Sequence, residues 1–251
     1  MNLPGYLTVT KRENIAILAM MKKTNILGVE MMDGLIEAFK VLNGDKEVKI
    51  VIFTGNGARS FIAGADIRAM QNLDVPSGIE FITKLHTLIE TVRYMDKLVV
   101  AAINGHCFGG GLELAIGCDF LIASESATFG MQEVVLGIPS VIEASMFLFL
   151  VGLAKTREWL LAGNTFGAQE ALNSGLINRV VPMENLMDEA ISWAKKFAHN
   201  PSHALKLQKK LMNKWLENAG LEASIKNGID SFGIAFGYDK SRELLANALK
   251  K

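Results

Sequence analysis

Two glutamates, Glu113 and Glu133, each follow a turn rich in small residues and are the acids in this chain whose surroundings ask for an explanation. Glu113 stands in LELAIG (112–117) among Leu112, Leu114, Ala115 and Ile116. Buried there unpaired, a carboxylate would cost roughly several kcal/mol, so its oxygens must reach backbone amides, water or a ligand. Glu133 closes FGMQE (129–133) and precedes another apolar run. Each has a plainer reading: Glu113 as an acid satisfying free amides in a first helical turn, Glu133 as a loop acid. A third stretch, RSFIAGADIRAM (59–70), adds a different group. Its small residues Ala63, Gly64 and Ala65 let a ligand approach the backbone closely. The amide of Ala65, at a helix start, is a donor for an oxygen that gains negative charge. Asp66 reads as the cap of that helix, which needs no chemistry.

The elements that must position these groups alternate between strand and helix. Tyr6 to Thr10 and Ile15 to Met20 flank the polar turn KREN as a hairpin. Met31, Met32, Leu35, Ile36, Phe39 and Leu42 recur at helical spacing before Gly44, which predicts a helix over 29–43. KIVIFT (49–54), LVVAAIN (98–104) and DFLIAS (119–124) are apolar runs suited to strands buried on both faces. A helix over 76–96, with Ile79, Ile82, Leu85, Ile89 and Val92 as its core face, delivers the chain to the second of them. Strand, helix, strand in this order implies right-handed parallel crossovers. From 144 onward the pattern is helix upon helix (144–152, 155–162, 167–174 and from 184), with breaks near Pro201 and Gly220.

Composition narrows the function. The chain has 251 residues, half of them hydrophobic, enough for one large core. Lys plus Arg balances Asp plus Glu at 26 each, so no basic field draws in nucleic acid or an anionic membrane. Cys107 and Cys118 are too few for a disulfide framework, and no Cys/His cluster has metal spacing. A reduced, cytoplasmic protein is expected, without secretory signal or membrane span. The glycines at 109–111 are followed by neither a G-x-G-x-x-G pattern nor Lys-Ser/Thr, so dinucleotide and P-loop readings are weak. His106 and Cys107 read as packing residues rather than a nucleophile pair.

AGADI (63–67), INGHCFGGGLELAIGCD (103–119) and FGMQEVVLGIP (129–139), in this order, resemble the crotonase superfamily and within it the enoyl-CoA hydratase/isomerase family. MKKTNIL (21–27) and GLINRVVP (175–182) extend the resemblance over nearly the whole chain. The resemblance implies an α/β, crotonase-like fold of repeated ββα units over 1–195. It also implies a C-terminal helical region over 196–251 involved in oligomerisation, with a homotrimer or dimer of trimers. It puts the oxyanion hole on the backbone amides of Ala65 and Gly110, and the catalytic glutamates on Glu113 and Glu133. The acids would then hold one water, one taking its proton as oxygen attacks Cβ while the other protonates Cα. The substrate is an acyl-CoA thioester, with coenzyme A part of the substrate and no metal or further cofactor called for. Ala63, Gly64, Asp66, Ile67 and Gly109 are expected to border it. Lys22, Lys23, Arg59 and Arg68 flank the pocket loops, and Arg68, with Lys23 behind it, is the candidate for the CoA phosphates; each is also readable as a solvated charge.

The chain departs from the hydratase pattern after Glu133. Gln132 replaces the usual proline, and Ser140, Val141 and Ile142 stand where small residues are usual. Val141 and Ile142 are expected to wall the acyl pocket. Glu143 reads as a helix-surface acid, with a polar group for a functionalised or cyclic substrate as the alternative. Three functions are open from sequence: a hydratase, another crotonase reaction such as double-bond isomerisation or ring-opening hydrolysis, and a non-catalytic binding subunit.

Overall fold

Period-two alternation sorts the long apolar strands into one sheet with two buried faces. The computed structural model describes residues 3–217, 220–235 and 238–240. Strands β1 (Leu7–Arg12) and β2 (Ile15–Met20) form the expected hairpin, with Leu7 opposite Met20. Then follow α1 (Val29–Gly44), β3 (Ile50–Gly55), the short β4 (Ser60–Ile62), α2 (Ile67–Met70) and α3 (Val75–Arg93). The next turn of chain is β5 (Leu98–Ile103), β6 (His106–Phe108) and α4 (Gly110–Ile116). Strands β7 (Phe120–Ser124) and β8 (Thr128–Gly130) lead to 3-10 turns at Glu133–Leu136 and Ile142–Met146. Helices α5 (Phe147–Leu150) and α6 (Gly152–Ala162), strand β9 (Thr165–Gly167), α7 (Ala168–Asn173) and β10 (Arg179–Val181) precede α8 (Leu186–Ala198), α9 (Ser202–Glu217) and α10 (Leu221–Ala235).

The five long strands and the short β10 make a sheet ordered β1-β2-β3-β5-β7-β10, parallel from β2 onward, and the other short strands a second sheet ordered β4-β6-β8-β9. Each of β3, β5 and β7 is followed by its short partner, so the chain winds as a spiral of ββα turns, the repeat implied by the resemblance. Val51, Phe53, Val99, Ala101 and Ile103 face the main core with α1, α3 and α4. Their neighbours Ile50, Ile52, Leu98, Val100 and Ala102 face the opposite way, onto Leu186, Ala190, Ala194 and Ala198 of α8. Helix α8 thus closes the back of the sheet, and residue 195 lies inside it.

Two buried asparagines tie the turns of the spiral together. Asn104, at the end of β5, accepts from the Gly55 amide at 3.1 Å and donates to the Gly57 carbonyl at 2.8 Å. Asn25 donates to the Phe61 carbonyl at 3.0 Å, which holds the segment before α1 against β4. These bonds join backbone groups of neighbouring turns and hold the chain that leads into Ala63 to Asp66.

Two expectations are corrected. Helix α3 starts at Val75, capped by a reciprocal Asp74–Ser77 box, and buries Phe81, Leu85, Leu88, Ile89 and Val92. Ile79 is 61% exposed, because six residues at 3.6 per turn place it roughly 120° round the helix from Leu85. The single helix over 144–152 is instead a 3-10 turn, the short α5 and a break at Gly152 with φ +75°. Trp159 is buried and stacked on Phe166 at 3.8 Å, whereas Trp215 on α9 is exposed. Among the described residues no helix is long and apolar enough to cross a membrane.

Candidate active site

The site lies where the first turn of α4 rests on β4. Gly111 permits this contact, since a Cβ there would stand 2.6 Å from Ile62. Gly109, at φ +51° and ψ −127°, takes a conformation that L side chains rarely adopt, and its missing Cβ leaves room for Glu133, whose Oε1 would be 2.7 Å away. The chain therefore turns sharply from β6 into α4 and presents the Gly110 amide at a helix start, where no carbonyl four residues back can take it.

The Ala65 amide is freed differently. The Leu27 amide donates to the Gly64 carbonyl at 2.9 Å and the Asp66 amide donates to the Leu27 carbonyl at 3.2 Å, a parallel bridge that brackets Ala65. The bracketed residue points its N–H away from the bridging strand. Neither the Ala65 nor the Gly110 amide has a hydrogen-bond acceptor among the described residues, and both residues line one cavity of about 430 Å³. Ile67, Met70, Leu73, Phe81, Ile82 and Leu85 give that cavity an apolar wall.

Both glutamates reach the same cavity. Glu113, 3% exposed, accepts the Ala144 amide on Oε1 at 2.7 Å. Burial pushes its pKa up to about 8; the Ala144 amide opposes the shift, and the charges of Glu133 and Glu143 add to it. Glu133 opens a 3-10 turn, is half-buried, and accepts the Ser140 hydroxyl on Oε2 at 2.9 Å. One oxygen of each carboxyl is thus fixed by the protein.

The raised pKa of Glu113 has a consequence for stability. With a folded-state value near 8 against an ordinary 4.5, the folded chain holds more protons than the unfolded chain between those values. Stability therefore falls as pH rises through that window and levels off above it. Glu113→Gln, which carries no charge, is expected to unfold at higher temperature than wild type at pH 8. Thermal melts should show this gain shrinking towards pH 5; a gain of the same size at both pH values would mean that Glu113 is not neutral in the fold.

Ala63, Gly64, Ala65, Ile67, Gly109, Gly110, Glu113, Glu133 and Val141 are brought together on the cavity. Others of the expected set are not. Asp66 caps α2, accepting from the Arg68 and Ala69 amides at 3.0 and 3.3 Å. Lys23 and Arg68 are exposed and do not line the cavity. Ile142, expected beside Val141, packs instead against the main core, because the chain reverses at its φ of +25°. Glu143 is not a surface acid: it is buried, facing His86 and Arg93 of α3. Sequence reasoning also missed Ser140 and the Ala144 amide as partners of the two glutamates. An acid within an apolar run was the available signal for Glu143, as it was for Glu113.

Comparison with known proteins shows the family. Residues 10–247 match the family described as enoyl-CoA hydratase/isomerase. The chain belongs to this family. Members similar to it include crotonyl-CoA hydratase of Syntrophomonas wolfei, 34% identical and covering 96% of this chain and 94% of the relative. Short-chain-enoyl-CoA hydratase of Clostridium acetobutylicum is 32% identical over 92% of this chain and 88% of the relative. Among solved structures, an enoyl-CoA hydratase from Bacillus anthracis superposes with a TM-score of 0.90 at 27% identity, covering 98% and 97% of the two chains. The two sheets, the ββα spiral and the C-terminal helices are accordingly the crotonase-like fold of the enoyl-CoA hydratase/isomerase family.

Proposed function

We propose that this chain is an enoyl-CoA hydratase, adding water across the double bond of a 2-enoyl-CoA thioester or running the reverse dehydration. The observation that carries the reading is the convergence of two carboxyls and two unpartnered amides on one apolar-walled cavity. The thioester carbonyl oxygen accepts from the Ala65 and Gly110 amides. As water oxygen bonds to Cβ, the double-bond electrons move towards Cα and the carbonyl, and the two donors stabilise the enolate-like oxygen. One carboxylate takes the water proton and the other carboxyl gives its proton to Cα, so the elements of water are added and none is left over. With Glu113 held neutral to about pH 8, the pair of acids carries a proton at neutral pH for this exchange. The chemistry needs no redox cofactor, since no electron leaves the substrate.

Around this centre, Ala63, Gly64 and Gly109 let the thioester approach the backbone, with Ile67 beside them. The exposed Arg68, with Lys23 near it, meets the CoA phosphates from outside the cavity. The relatives named crotonyl-CoA hydratase and short-chain-enoyl-CoA hydratase support a short acyl chain for this protein too. Phe149 and Leu153 on α5 and α6, and Ile225 and Ile229 on α10, are exposed apolar side chains that fit subunit contacts in a homotrimer or dimer of trimers. The helices beyond residue 196 belong to that assembly, in the cytoplasm.

The test is turnover across a C4 to C12 series of 2-enoyl-CoA thioesters, followed by loss of enoyl absorbance, with a 3-enoyl-CoA beside it. Hydration should exceed migration of the 3-double bond; isomerisation alone would favour a one-acid reaction. Val141, on the cavity wall, sets part of the length limit. Val141→Ala is expected to raise kcat/KM for longer chains relative to C4 by about tenfold or more per clash relieved, since a methylene in such a pocket is worth roughly 1–3 kcal/mol. An unchanged length profile would take Val141 off the acyl path.

A further inference from the structure

Three side chains lie behind Glu113, outside the cavity wall and without a part in the steps above. Glu143, in the 3-10 turn Ile142–Met146, is 2% exposed. Its Oε1 stands 3.0 Å from His86 Nδ1 and 3.3 Å from an Arg93 guanidinium nitrogen, both reaching over from α3. Its Oε2 is buried with no hydrogen-bond partner among the described residues. A carboxylate withdrawn that far from water is costly unless paired. Burial accordingly raises its pKa, against the pull of His86 and Arg93.

What this arrangement holds in place is the next residue. The Ala144 amide makes the 2.7 Å hydrogen bond to Glu113 Oε1. On the other side Ile142 is at φ +25°, a conformation that a β-branched residue keeps only where its surroundings impose it. A turn strained at that point does not hold itself, and the contacts from α3 to Glu143 supply a restraint that reaches across elements. We propose that Glu143, clamped by His86 and Arg93, is a positioning residue that fixes the Ala144 amide and through it the orientation of Glu113. This rests on the reading of Glu113 as one of the working acids. With Oε1 tied to Ala144, the other oxygen is held for water and substrate; with the turn released, the carboxyl can rotate, and misplacement by about 1 Å can cost on the order of a hundredfold in rate.

Glu143 also acts on Glu113 through its charge, which adds to the effects of burial and of Glu133 in raising the Glu113 pKa. The charged groups around the pair are few. Helix α3 brings His86, Arg93 and Glu90, the last 3.6 Å from His86 Nε2. Strand β6 brings Cys107, buried, and His106, whose ring meets the Thr128 hydroxyl at 2.7 Å. Strands β4 and β7, also packed on α4, carry no titratable side chain.

The experiment compares Glu143→Ala, Glu143→Gln and His86→Ala with wild type. It measures kcat, KM and the titration midpoint of the Glu113 carboxyl by 13C NMR, with rates normalised to folded protein. Glu143→Ala is expected to lower kcat by about ten- to a hundredfold with KM within about twofold, and to move the Glu113 midpoint above its wild-type value, because release of the Ala144 amide outweighs loss of the Glu143 charge. Glu143→Gln, which can still accept from Arg93 and so keeps the turn, should lose less kcat and move the midpoint below the wild-type value, since only the charge is gone. His86→Ala should lower kcat in the same direction by a smaller factor. Wild-type kcat per folded molecule together with an unmoved midpoint in Glu143→Ala would overturn the proposal. Should Glu143→Ala not fold, an unmoved midpoint in Glu143→Gln together with unchanged kcat in His86→Ala would overturn it equally. Full hydration activity in Glu113→Gln would instead defeat the reading of Glu113, leaving the midpoint shift as the readout on Glu143.

Discussion

Glu113→Gln and Glu133→Gln are each expected to lower kcat for hydration by at least about a hundredfold, a loss of about 2.7 kcal/mol of transition-state stabilisation, with little change in binding of the CoA ester. The substitution is close to isosteric. At Glu113 the amide oxygen can still accept from Ala144, so the turn that holds it stays in place. At Glu133 the amide oxygen can still accept the Ser140 hydroxyl. What is lost in each case is the exchangeable proton or the site to receive one. Because the two acids act on one water and one carbon, the double variant should lose little more than the worse single variant. Steady-state rates on a 2-enoyl-CoA check this. Hydration near the wild-type rate in Glu113→Gln with turnover abolished in Glu133→Gln would point to a one-acid reaction.

Gly109→Ala should be nearly as damaging, for a reason visible only in three dimensions. The added methyl would stand 2.7 Å from Glu133 Oε1, and the backbone there, at φ +51°, is one that alanine resists. Either the carboxyl moves or the first turn of α4 does, and the second movement displaces the Gly110 amide. Both routes misplace a reacting group, so kcat should fall by about a hundredfold or more, with about 1–3 kcal/mol lost from stability by the strained residue. Gly44→Ala serves as the comparison: it lies at the end of α1, where an added Cβ meets nothing, and kcat should be unaffected. A Gly109→Ala protein with wild-type kcat would show that Glu133 does not need the place where the structure puts it.

The long strands were legible because burial on both faces leaves a continuous apolar run, as in LVVAAIN. The short strands β4, β6, β8 and β9 were not. Each has three residues, too few for a period; β4, β6 and β8 exist because the long strand before each hands the chain to a second sheet, and β9 because it pairs with the edge of β8. In the site, Glu113 announced itself as an acid among apolar residues, and the small residues at 63–65 and 109–111 marked where backbone comes close. Glu143 carried the same signature. In the sequence it reads as a helix-surface acid, and the reversal at Ile142 that turns it inward has no marker in a β-branched residue. Ser140 escaped for a related reason: its hydrogen bond to Glu133 depends on the chain folding back at Gly137, with φ +79°, and spacing alone does not show that.

The most direct measurement is the wild-type rate of crotonyl-CoA hydration between about pH 6 and pH 9.5. The account predicts rapid loss of enoyl absorbance at neutral pH, with kcat/KM falling as the pH rises through about 8, where the buried Glu113 gives up its proton. Failure to consume crotonyl-CoA or any longer 2-enoyl-CoA, or a rate that climbs steadily through that range, would contradict it.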